Sequence, residues 1–147
     1  MKKYLLVALA LFLTLTLTGC GTEEEQVKEP TTIPVSLQGI YKGGKYSSGA
    51  EKYTGVQYYF IYSVENNTVR RKICQSATKD CDFDDGKTGL YETKVYDVKD
   101  IKLQRDEENI DFNIYSNNEI YAKCYTSFGK ISCTNTDGSG FTMSKQS

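Results

Sequence analysis

Between Gly55 and Ile73 the chain reads GVQYYFIYSVENNTVRRKI, with apolar or aromatic residues at every second position from Val56 to Val64 and again at Val69 and Ile73 beyond Asn66-Asn67. A period of two belongs to a strand with one buried face, and no stretch beyond the first twenty residues repeats at helical spacing. Asn66-Asn67 can supply the two positive-φ residues of a type I′ turn, which pairs Val64 with Val69, Tyr62 with Arg71 and Phe60 with Ile73. Val56, Tyr58, Phe60, Tyr62, Val64, Val69 and Ile73 then share one face.

The same reasoning sets three further registers. In IKLQRDEENIDFNIY a four-residue loop at 106–109 places Leu103 opposite Phe112 and Ile101 opposite Ile114, which makes DEEN a turn and not an acid cluster. In NIYSNNEIYAKC a three-residue loop at 116–118 sets Ile114 opposite Ile120 and Phe112 opposite Ala122. In CYTSFGKISC a two-residue turn at Phe128-Gly129 brings Cys124 opposite Cys133, at a non-hydrogen-bonded position where a disulfide closes without moving the backbone. Cys74 and Cys81 are then left to each other, with Cys74 facing away from the core and the bridge tying down an exposed loop. Each bridge contributes about 2–3 kcal/mol through loop entropy.

With GIY near residue 40, a less regular segment at 90–98 and FTM at 141–143, the count is eight or nine short strands. Sequential hairpins favour an all-β antiparallel meander closed into a small barrel, with a two-sheet β-sandwich as the alternative. The plan resembles the lipocalin-like barrels of bacterial lipoproteins. Leu37-Gln38-Gly39-Ile40-Tyr41 stands where lipocalins begin their first strand with Gly-x-Trp, although this chain contains no Trp.

The amino terminus carries a second resemblance. Lys2 and Lys3 precede an uncharged, Leu-dominated run that is too short for a comfortable membrane span, and Leu17-Thr18-Gly19-Cys20 follows. This is similar to the lipobox of bacterial lipoproteins, which implies a signal peptide at 1–19 and acylation of Cys20. Stable anchoring takes more than one acyl chain. Residues 20–36, with three consecutive Glu, read as an acylated start and flexible tether, and 37–147 as one β domain. Cys20 thereby explains the odd cysteine: five in all, with four left to pair.

Without the signal the chain has 16 basic and 19 acidic residues, a net charge of −3 that offers nothing to nucleic acid. The absence of His removes the commonest general base and the Ser-His-Asp system, so catalysis is not expected. Gly86-Lys87-Thr88 is no phosphate loop, because Cys81 stands where the first Gly is required. Asp80, Asp82 and Asp84 alternate as in an EF-hand Ca²⁺ loop, but Asp85 occupies the position that needs Gly, and Glu92 comes one residue late. The departures favour a solvated acidic turn, and no cofactor is expected.

Eleven Tyr remain after the signal. Tyr59, Tyr121 and Tyr125 fall on the outward side of their strands, where amphipathic rings suit recognition. Ser48-Gly49-Ala50-Glu51-Lys52-Tyr53 resembles the Ser-Gly-x-x-Tyr loop of lipid-anchored lysozyme inhibitors, with Tyr one residue late. The leading expectation is a non-catalytic binding domain of the bacterial envelope, held to the membrane by lipid and meeting an envelope or extracellular protein or a small ligand. The alternatives are an inhibitor of a hydrolase such as lysozyme and, last, an enzyme that uses carboxylates.

Overall fold

The computed structural model describes residues 28–47, 56–75, 81–87, 91–104 and 109–147. After a 3-10 turn at Val35–Leu37 come eight strands: β1 Gly39–Tyr46, β2 Tyr58–Glu65, β3 Thr68–Cys74, β4 Lys94–Leu103, β5 Ile110–Ser116, β6 Glu119–Ser127, β7 Lys130–Asn135 and β8 Gly140–Lys145. Each pairs antiparallel with the next, and β8 returns to β1 with Tyr41 opposite Lys145 and Lys42 opposite Ser144. The expected all-β meander is therefore a closed barrel, and the sandwich is excluded. Closure pairs the edges that an open sheet would expose.

Two hairpins have the register read from the sequence. Val64 faces Val69, Tyr62 faces Arg71 and Phe60 faces Ile73, with Asn66 alone of the two turn residues at positive φ (36°). At the β6–β7 turn Phe128 and Gly129 lie at φ 50° and 70°, Cys124 faces Cys133 and Thr126 faces Ile131. Both disulfides pair as the registers required, Cys124 with Cys133 and Cys74 with Cys81, at Cα separations of 4.1 and 5.5 Å.

Two other registers differ, each through where its turn closes and through a β-bulge beyond it. Leu103 faces Ile110, not the expected Phe112, because the turn closes one residue earlier, with the Gln104 N–H donating to Asn109 O at 2.8 Å, and the irregularity of β4 between Lys99 and Lys102 then sets Val98 opposite Ile114. The left-handed Asp100 there (φ 57°) is held by the Tyr115 hydroxyl at 2.6 Å and the Asn113 amide at 2.8 Å, both donating to its carboxylate. The β5–β6 turn has two residues, Asn117 and Asn118, both at positive φ, and not the three expected. A bulge then puts Ile114 opposite Ala122 and Phe112 opposite Cys124, so apolar still meets apolar.

Side chains fill the barrel. Tyr41, Val64, Val69, Ile110, Phe112, Ile114, Ile131 and Met143 are fully buried and belong to one interior cluster. One end is closed by the amino-terminal segment: Ile33, 1% exposed, and Leu37 join that cluster. The Ile33 N–H donates to Asn66 O at 2.8 Å, and the Tyr41 hydroxyl donates to Leu37 O at 2.6 Å. Residues 33–36 thus belong to the folded domain and not to the tether, and the start expected at Leu37 moves back at least to Ile33. The β6–β7 tip lies at this same end, since Lys145 donates through its N–H to Gly129 O (3.2 Å) and through Nζ to Ser36 O (2.6 Å). Phe128 on that tip is fully exposed.

Candidate functional site

Residues 81–87 of the acidic loop lie against the outer face of β3 as a strap. Arg70 pairs with Glu65 at 2.8 Å and Asp84 at 3.2 Å, and its guanidinium stands 5.3 Å from the Phe83 ring centroid. Lys72, only 4% exposed, donates to Asp82 O and to the Asp85 carboxylate, which Lys87 also approaches at 3.5 Å. The Thr93 hydroxyl donates to Phe83 O at 2.5 Å. Strand cations therefore occupy Asp84 and Asp85, while Asp82 accepts the Asp84 N–H at 2.8 Å in a local turn. Asp80 lies outside the described residues, and among those described no three acidic or cysteine side chains gather as metal ligands. Cys74 points away from the interior, as expected, and it is buried, as is its outward neighbour Ile61.

Acid is expected to loosen this strap. The Lys72 hydrogen bond holds the Asp85 carboxyl below its ordinary value, and Ser63 and Arg70 do the same for Glu65. A carboxylate with a depressed folded value stabilises the fold above its unfolded pKa of about 4, and that stability is lost as pH falls through the lower folded value. Melting temperature is thus expected to drop below about pH 4, and more steeply in the wild type than in Lys72→Met, in which Asp85 loses its partner. Identical acid limbs would mean that the pair contributes nothing.

The three outward tyrosines do not make one face. Tyr59 on β2 and Tyr125 on β6 stand on opposite sides of an eight-stranded barrel. Tyr59 lies beneath Lys42 Nζ, 3.8 Å from the ring centroid, and Tyr125 is 49% exposed. Tyr121 is not outward at all. The β5–β6 bulge turns it to the interior, where its ring packs 4.8 Å from Tyr96 and against the core.

Tyr121 leads to the most unusual arrangement in the barrel, at the end opposite Ile33. Arg71 on β3 points inward between Val69 and Ile73 and donates through Nη1 to the Tyr121 hydroxyl at 3.3 Å. Its guanidinium carbon lies 5.3 Å from the Phe60 ring centroid and 5.7 Å from that of Tyr96. Tyr62 stacks on Phe141 at 5.5 Å, and Tyr46 meets Phe60 edge-on at 5.5 Å. Gly43 leaves room for this layer, since a Cβ there would come within 2.7 Å of the Tyr62 ring. Beyond Arg71, which pairs with Lys94, β3 and β4 separate, and a cavity of about 220 Å³ opens between them, lined by Tyr46, Phe60, Arg71, Ile73 and Lys94 with Glu92 at its rim.

Cations outnumber carboxylates at this mouth, where Arg71 and Lys94 stand with Glu92. Among the described residues no carboxylate lies within ion-pair distance of Arg71; the ion pairs they form involve Arg70, Lys72 and Lys87 and lie at the strap. Burial pushes the Tyr96 hydroxyl up to about 12 and raises that of Tyr62 as well, against the opposing pull of Arg71. Both are neutral phenols at physiological pH and supply no countercharge.

The signal for this site was present in the alternation. Arg71 falls on the inward face between Val69 and Ile73, and charge alone had removed it from the list of core residues. The inhibitor-like segment 48–53 lies outside the described residues, as does Cys20. No family model, curated protein or solved structure matches the chain. The functional reading rests on the residues themselves.

Proposed function

We propose that this is a lipid-anchored protein of the bacterial cell envelope whose barrel binds a partner or small ligand without turning it over. The observation that carries this reading is the aromatic mouth around Arg71, at the barrel end opposite the one the amino-terminal segment enters. A chain acylated at Cys20 and led through residues 21–32 to Ile33 attaches the tether at the plugged end, opposite the mouth. The absence of His supports binding over catalysis.

Metabolic labelling with radioactive palmitate, followed by membrane fractionation, tests the anchor. Wild type is expected to carry label and sediment with membranes, and Cys20→Ala is expected to lose both properties. Label persisting in Cys20→Ala would overturn the anchored reading.

A further inference from the structure

We propose that the barrel mouth binds a small monocarboxylate with a short apolar body, its carboxylate on Arg71 and its body against Phe60, Tyr46 and Ile73. This deepens the binding-domain reading and rests on it. The Arg71 guanidinium is partly buried and faces this cavity, and a hydrogen-bonded countercharge would offset the hydration it has lost. Among the described residues no carboxylate stands within ion-pair distance of it: Glu92 lines the same cavity farther off, and the Tyr121 hydroxyl accepts one N–H and carries no charge to offset. The planar guanidinium fork matches a carboxylate with two parallel hydrogen bonds.

The cavity limits the ligand's size and charge. About 220 Å³ is below the range of drug-sized pockets and holds roughly seven waters at about 30 Å³ each, which suits a fragment and not a lipid calyx. The core beneath is packed with Tyr41, Phe112 and Met143, so the ligand stays at the mouth. Glu92 at the rim works against a dianion such as phosphate, and the aromatic walls take an apolar body better than a polar one. A free aliphatic acid and the carboxyl end of a peptide share this chemistry.

The test titrates the full chain with hexanoate and with N-acetyl-leucine, each against its neutral amide. Intrinsic tyrosine fluorescence gives a clean signal because the chain lacks Trp, and the Arg71 Nε–H resonance reports on the guanidinium directly. At least one acid is expected to bind about tenfold or more tighter than its amide and to shift the Arg71 resonance, and Arg71→Gln should erase the preference. Preference for hexanoate assigns the aliphatic source, and preference for N-acetyl-leucine the peptide source. Equal binding of acids and amides, an unmoved Arg71 resonance, or acid preference surviving in Arg71→Gln would each overturn the proposal. Should Arg71→Gln fail to fold by circular dichroism, the wild-type resonance and Arg71→Lys, which keeps the charge without the fork, decide the matter. A negative outcome with Cys20 still labelled removes this ligand class and leaves the anchored domain standing.

Discussion

Truncating Ile33 to Ala is expected to destabilise the protein by about 2–4 kcal/mol, as much as a change in the middle of the barrel. Ile33 is 1% exposed within the interior cluster, and its backbone is fixed at both groups: N–H to Asn66 O at 2.8 Å, and O accepting from the Gln38 amide at 2.9 Å. Partial collapse of the surrounding side chains cannot refill a site clamped on both sides. Val35, two residues on and 83% exposed, supplies the control, since Val35→Ala should change stability by no more than about 0.5 kcal/mol. Urea denaturation of the full chain measures both. Equal effects at the two positions would place Ile33 outside the core and return residues 33–36 to the tether.

Removing the Cys124–Cys133 bridge through the double change Cys124→Ala, Cys133→Ala is expected to cost about 2–4 kcal/mol. Both residues are 3% exposed inside the barrel on paired strands, so their packing is lost together with the cross-link. Removing Cys74–Cys81 in the same way should lower the melting temperature less and act locally. Lys72 with Asp85, Arg70 with Asp84 and Thr93 with Phe83 still hold the strap. Its expected signature is faster protease cleavage within residues 75–93 while the barrel stays folded. A larger loss of melting temperature from the Cys74–Cys81 change would make the strap, and not the interior bridge, the keystone of the fold.

The hairpins read correctly from sequence share one property: their strands pair without interruption from the turn outward. Asn66-Asn67 and Phe128-Gly129 each close a regular ladder, so counting from the turn gives every partner, including Cys124 opposite Cys133. In the other two hairpins the turn closes on residues other than those the alternation selects, and the ladder then absorbs extra residues at Asp100 and Tyr121, so counting fails from the turn outward. Tyr121 shows the consequence for function, because a ring assigned to the outer face by alternation becomes the hydrogen-bond partner of Arg71.

Local chemistry in the chain was enough for the strand class, the meander, two of the registers and the disulfide pairing, because each depends on residues within one hairpin and on the period-two contrast between faces. The residues that meet where β8 closes on β1, the plug at Ile33, the strap over Lys72 and the cavity at Arg71 lay beyond that range. Each joins segments far apart in the chain: Ile33 meets Asn66, Arg71 meets Tyr121, and Tyr41 meets Lys145. Whether an inward arginine finds an anion, or an outward isoleucine finds cover, is set by what the curved sheet brings against it, and alternation along one strand carries no information about that neighbour.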